Sequence, residues 1–401
     1  MKHFCKINVL INEKKNGGRG KMSHSKRNII IKFIFQFLFL LVFASIVSAC
    51  SHPQDAKPSP SEDNDKQNVP LSQPKDTWKL PIKIPEGEFY KVGSWYSDYQ
   101  LLYITNLEQS SSVYLYNLLT GSSQLLYKSE VPIVTLQISP SKENILIQSS
   151  PSTYEGQVTI LSPEGTEIFK QSIPSYELAF EWNPFNESEI LISSFNEDWT
   201  FQMLLLDIGQ RKTTELTLPQ PFIKWIGNGE VAYLKWNEDS PSLFAPLMKL
   251  DLSNEAEEEI FTDVLHFATY KDILMTVTVQ DDEQLQASYT FYNKEKKELN
   301  SFSIPHLSMF SGWLVPYNDL NEKKGEFITL KPVKSAEADA YREGFELVSY
   351  DIENGSSNVI MKNMKNEPIL LSPSGEAALF GNRFDKLINF KTKELMELVA
   401  K

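Results

Sequence analysis

The chain has 401 residues, with 52 Asp and Glu against 39 Lys and Arg, a formal charge of −13, 12% aromatic residues and only 17 glycines. Such a length supplies two average domains or one large repeat-built domain, and the aromatic content excludes a disordered or collagen-like chain. Residues 1–49 carry nine Lys or Arg and one acid, so the chain from Cys50 onward holds −21, a charge that repels nucleic acid and anionic membrane surfaces and argues against either as a partner.

At the N-terminus, Lys26, Arg27 and Lys32 precede "FIFQFLFLLVFASIVSA", 17 residues without a charge from Phe33 to Ala49. That is the short limit for a membrane-spanning helix and long enough for the apolar region of a signal peptide. The run ends on "VSAC", a branched apolar residue, two small ones and a cysteine. Small residues let an extended segment fit a peptidase groove, and the thiol beyond them can be alkylated. The ending resembles the lipobox of bacterial lipoproteins. The resemblance implies diacylglycerol in thioether linkage on Cys50, cleavage between Ala49 and Cys50, and anchorage on the extracytoplasmic face of the cell membrane; an uncleaved anchor helix is the other reading. Met22 would begin a more ordinary signal, so residues 1–21 read as a misassigned start. The expected organisation is therefore a lipoprotein signal over 1–49, a lipidated Cys50 with a flexible linker over 50–77, and one folded domain over 78–401. Residues 51–77 hold five prolines and no aromatic residue, a composition that cannot bury enough apolar area to offset its ordering entropy.

From about Trp78 a pattern recurs. "SWYSDYQLLYIT", "QISPSKENILIQS", "EWNPFNESEILIS", "KWIGNGEVAYLKW" and "LLSPSGEAALFGN" each read as a short strand, a polar turn and an apolar strand. A second hairpin follows, entered at Asn117, Ser162, Asp207, Asp251, Asn293, Asp351 and Asn389, at separations of 45, 45, 44, 42, 58 and 38 residues. Small polar side chains at these places can cap the free N–H groups of the turn. Four strands in a period near 44 predict an all-β chain, a β-propeller of four-stranded blades, in which stacking around an axis buries what no blade can bury alone. Seven units are counted: about 90–130, 131–175, 176–220, 221–263, 264–305, 306–364 and 365–401. A pair of β-sandwiches is the other architecture with regular short strands. "SAEADAYREGF" (Ser335 to Phe345) reads as a helical or loop insertion, and "HFATYKDILMTVTV", with its poor first turn, as the unit least certain to form a blade. With the lipobox, the acidic linker and the turns of the "SPSGEAALF" type, the chain resembles the YqgU-like propeller lipoproteins of Gram-positive bacteria. That resemblance implies a propeller described as six-bladed and no assigned activity.

Cys5 and Cys50 both precede the folded region, which can form no disulfide, zinc knot or iron–sulfur site. Only His266 and His306 fall in it, without metal-ligand spacing, so no metal or other cofactor is expected. No Gly-x-Ser-x-Gly motif is present, and His306 lacks a Ser, Cys or acid at a telling spacing. A binding or scaffold module follows, with a cell-envelope protein or glycan as partner. The alternative is an extracytoplasmic hydrolase or lyase whose acids converge on the axis from different blades. Binding residues are expected in the loops between second and third strands, where "NEDW" and "WNED" echo one another. Trp199 and Trp236 could stack on a sugar ring or grip a cationic group while Asp198 and Asp239 accept its hydrogen bonds. Packing against a neighbouring blade explains the same tryptophans without a ligand. Asp281 to Glu283 lack the alternating spacing that wraps Ca²⁺, and Glu255 to Glu259 read as a charged edge turn.

Overall fold

Alternating apolar residues bounded by Asx and Gly turns produce a molecule built of antiparallel strands. The computed structural model of the chain describes residues 78–237, 242–279, 285–309 and 312–400, and among them there is no helix. Strands pair in sequence order into seven four-stranded sheets, over 88–129, 133–174, 177–216, 224–264, 266–305, 318–364 and 369–397. These are blades one to seven of a β-propeller. The first strands of successive blades approach one another, so they line the axis and the fourth strands form the rim.

Because side chains alternate across each sheet, one set packs on the preceding blade and the other on the following one. Val231 and Tyr233 join a cluster with Leu191 of blade three, whereas Ala232 between them joins Phe267 and Leu274 of blade five. Seven such clusters, one at each junction, make the core. The unit beginning at "HFATYKDILMTVTV" is a complete blade: Thr269 pairs with Leu274 and Tyr270 N–H reaches Ile273 O, so a tight turn serves where the sequence lacks a Pro or Gly signal.

All seven residues entering the second hairpins cap their turns. Asn117 Oδ1 accepts from Leu119 and Thr120 N–H, Asp351 Oδ1 from Glu353 and Asn354, and Asn389 Oδ1 from Lys391 and Thr392. Ser162, Asp207, Asp251 and Asn293 do the same in their blades. In blade two the turn also requires Gly165, whose φ is +86° and where a Cβ would stand 2.1 Å from Leu126 O.

The ring closes between blades one and seven without exchanging strands. Trp95 donates its indole N–H to Leu370 O across the junction at 3.0 Å, and Ser374 N–H donates to Asp98 Oδ1 at 2.7 Å. A strap of residues 78–84 crosses the same seam. Lys79 N–H donates to Leu118 O, Ile82 N–H to Leu398 O, and Ile82 forms a parallel bridge with Val399. Trp78, Leu80 and Ile84 pack on the cluster beneath.

The expected insertion, between the second and third strands of blade six, is present as a loop and not as a helix, and it meets the connection between blades five and six. Leu307–Met309, Gly312–Leu314 and Ala336–Glu337 form a separate three-stranded sheet. The backbone of 335–345 spends its polar groups on that sheet and on turns: Ala336 N–H donates to His306 O and Ala338 N–H to Ser308 O.

Candidate functional site

The two ends of the ring differ in what they expose. At one, the turn end, lie the connections between first and second and between third and fourth strands. At the other, the loop end, lie the connections between second and third strands and between blades.

At the turn end neighbouring connections are joined. Ser141 N–H and hydroxyl donate to Glu187, Lys271 and Asp272 N–H donate to Glu322, and Asn321 Nδ2 donates to Pro373 O. Residues 78 and 79 reach the ring here, beside Leu118.

At the loop end exposed aromatic side chains gather over blades two to four. Tyr154 is 60% exposed, Phe222 56%, Tyr176 47%, Trp199 41%, Trp236 39% and Phe201 36%. Their positions are fixed from below. Asn196 N–H donates to Thr200 O, Trp199 N–H to Asn196 O, and Thr200 N–H and hydroxyl both donate to Asp198 Oδ1, which holds that carboxyl below the usual range. The short loop turns Trp199 outward with φ at +67°, a left-handed backbone that a bulky residue seldom adopts. Its ring meets Phe195 edge-on at 5.8 Å, and Phe195 meets Phe222 at 5.6 Å. Tyr154 lies 6.5 Å from Tyr176 and donates its hydroxyl to Glu197 Oε2 at 3.2 Å, which joins the loops of blades two and three. Phe195 O receives Tyr176 N–H at 2.7 Å.

A second polar group lines the axis. Lys224, on the first strand of blade four (Lys224–Gly227), donates to and pairs with Glu181 of blade three (Glu177–Trp182), while His266 begins the first strand of blade five (His266–Thr269). Burial raises the Glu181 carboxyl, an effect opposed by Lys224. Burial, helped by Lys224, lowers His266 to about 4, so its imidazole is neutral at physiological pH. Asp319 of blade six accepts from Leu371 and Leu320 N–H, yet burial lifts it to about 6. Among the described residues, no three His, Cys, Asp or Glu are arranged to hold a metal ion.

Of the residues marked by the sequence, Trp199, Asp198 and Trp236 stand exposed at the loop end. Asp239, the Asp281–Glu283 acids, Ala49 and Cys50 lie outside the described residues. Trp95, Trp182 and Trp225 are buried and tie backbones together through their indole N–H groups. Trp313 belongs to the small sheet. His306 is 3% exposed beneath the insertion, remote from any solvent that a general base would need. Glu257 and Glu258 are committed to Lys235, Lys249 and Lys296. Tyr154, Tyr176 and Phe222 were not marked, although "STYEG" and "PSYEL" repeat a Tyr-Glu pair in loops that meet at one end.

Residues 117–381 match the family described as YqgU-like 6-bladed beta propeller domain. The chain is 26% identical over 365 residues to the uncharacterized lipoprotein YqgU of Bacillus subtilis (strain 168), covering 90% of this chain and 96% of that one. The crystal structure of the uncharacterized protein lmo1340 from Listeria monocytogenes EGD-e is similar, with a TM-score of 0.74 and 26% identity over 80% of this chain and 98% of that one. The propeller domain of the Trilobed protease from Pyrococcus furiosus, at 12% identity and a TM-score of 0.53 over 78% of this chain and 98% of that one, shares the fold. The matched segment contains blades two to six whole, with the last strand of blade one and the first two of blade seven. Among the described residues there are seven four-stranded blades where the description counts six.

Proposed function

The chain belongs to the family of YqgU-like β-propeller domains, and from that premise we propose that it is a lipid-anchored, extracytoplasmic binding module that engages a component of the cell envelope through the loop end of its ring. The observation that carries this reading is the gathering of Tyr154, Tyr176, Trp199 and Phe222 on one end, each at least two-fifths exposed. Contiguous apolar surface of this kind is costly to leave in water and marks interaction sites. Aromatic rings with a few polar partners are what such sites use for anchorage. The chain reaches the ring at the opposite end, beside Leu118. A body tethered from there can present its loop end outward. The lipid anchor on Cys50 is supported by the "VSAC" ending and by a relative that is a lipoprotein.

Two experiments test the two halves. The full chain, in detergent, should sediment with isolated cell envelopes, and a Tyr154→Ser/Tyr176→Ser/Phe222→Ser variant should lose most of that binding while Tyr99→Ser at the turn end keeps it. Equal binding by all three would refute the assigned face. In cells, Cys50→Ala should remain uncleaved and unlabelled by radioactive palmitate; normal processing of that variant would contradict the anchor.

A second reading, an enzyme acting on the axis, draws on the side-by-side Glu181, Lys224 and His266. A propeller that turned over an envelope glycan or peptide and lost turnover in Glu181→Gln would establish it, and unchanged turnover in that variant would end it.

A further inference from the structure

The loop end is not chemically uniform around the ring. In the sector of blades six and seven it carries several cations, most of them matched: Lys334 pairs with Glu343 at 2.5 Å, Lys386 with Glu367 at 3.3 Å, and Arg383 reaches Phe89 and Tyr90 O. Across blades two and three the segments 150–156, 174–178, 195–202 and 217–223 read SPSTYEG, PSYEL, FNEDWTFQ and TLPQPFI. They carry Glu155, Glu177, Glu197 and Asp198, five exposed aromatic rings, and no Lys or Arg. None of these four acids makes an ion pair among the described residues.

From this juxtaposition, and resting on the loop end being the binding face, we infer that the sector of blades two and three binds a Lys- or Arg-bearing segment of a protein. Two requirements of such a segment are met together. The methylene stems of Lys and Arg need apolar surface, and Tyr176 and Tyr154 supply it as one pair of rings and Trp199 and Phe222, each against Phe195, as another. The charged heads need carboxylates or ring faces, and Glu197, held by the Tyr154 hydroxyl, comes from the loop that carries Trp199. A neutral glycan would use the rings and donate hydroxyls to the acids but leave their negative charge uncompensated, and an anionic polymer would be repelled by it. The surface runs across several loops that rigid strands hold in register. It therefore suits an extended segment with several side chains rather than one small cation.

The test titrates the full chain, in detergent at physiological ionic strength, with acetylated octalysine, octaglutamine and octaglutamate by calorimetry. Octalysine should bind about tenfold or more tighter than octaglutamine, and octaglutamate should not bind. A Glu155→Gln/Glu177→Gln/Glu197→Gln/Asp198→Asn variant with an unchanged melting curve should lose about tenfold in octalysine affinity. Tyr176→Ser/Trp199→Ser should lose a similar factor with all charges kept. Neutralising Glu143, Glu295 and Glu353 at the turn end should change affinity by less than about twofold, because exposed charges beyond a Debye length are screened. Equal affinity for octalysine and octaglutamine would overturn the inference, as would an equal effect of neutralising either end, which would reduce binding to general attraction of a polycation by a polyanion. If the envelope-binding experiment still singles out the aromatic residues while octalysine shows no preference, the binding face stands and the cationic partner falls.

Discussion

The turn end and the loop end are made from the same seven blades, yet one consumes its polar groups and the other leaves side chains for others. At the turn end, Asx and Ser residues cap all seven hairpins and Glu187, Glu322 and Asp98 accept backbone N–H groups from neighbouring blades. Buried or junctional backbone must be satisfied, so this end is fixed by what the ring needs. At the loop end the connections stand on strands already locked from below, and Tyr154, Tyr176, Trp199 and Phe222 keep two-fifths or more of their surface in solvent. The difference teaches that the site is to be sought where hydrogen bonding is local and rings are exposed, as in the loop 196–200.

The comparison can be broken most forcefully at the seam. Trp95→Ala removes a side chain that is 3% exposed and its bond to Leu370 across the closing junction, and should cost about 3–5 kcal/mol in a denaturant titration. A loss below about 1 kcal/mol would mean that the ring is held elsewhere.

The axis comes next, and its two ends of pH respond oppositely. His266 titrates at about 4 in the fold against 6.5 as an ordinary imidazole, so its stabilising share is full above 6.5 and is lost as pH falls toward 4. Asp319 is lifted from 3.8 to about 6, so its share is full below 3.8 and is lost as pH rises through 6. Relative to the parent, His266→Gln should gain stability on acidification from neutrality to about pH 4, and Asp319→Asn should lose it, each on the order of 2 kcal/mol. Parallel stability curves for parent and variants would show that neither group is desolvated as described.

Asn117→Ala, which removes one turn cap, should cost about 1 kcal/mol by thermal melting, roughly the effect of losing a helix N-cap. Tyr176→Ser and Trp236→Ala, both exposed at the loop end, should stay within about 0.5 kcal/mol of the parent. A larger loss would make those rings part of the core and dissolve the distinction between the ends.

What the sequence disclosed follows the same division. The propeller and its seven units were legible because each hairpin is a local event: Asp351 caps residues two and three places on, and a period near 44 repeats it. The tight turn at Tyr270 was harder to read because it is made by backbone pairing without a Gly or Pro. The axial group was invisible because Glu181 and Lys224 come from different blades, and the seam because Ile82 of the strap meets Leu398 from the far end of the chain. The binding sector was half legible: Trp199 and Asp198 were marked, but Tyr176 and Phe222 belong to blade-to-blade connections that only the ring brings beside them.

The most direct test of the division between the ends uses a photo-crosslinking amino acid placed in the full chain in intact cells, at Tyr176 in one strain and at Tyr99 in another. Both positions are exposed, at 47% and 40%, and they lie at opposite ends of the ring. The account predicts a discrete covalent adduct from position 176, lost when Glu155, Glu177, Glu197 and Asp198 are neutralised, and none from position 99. An adduct from position 99 alone would contradict it.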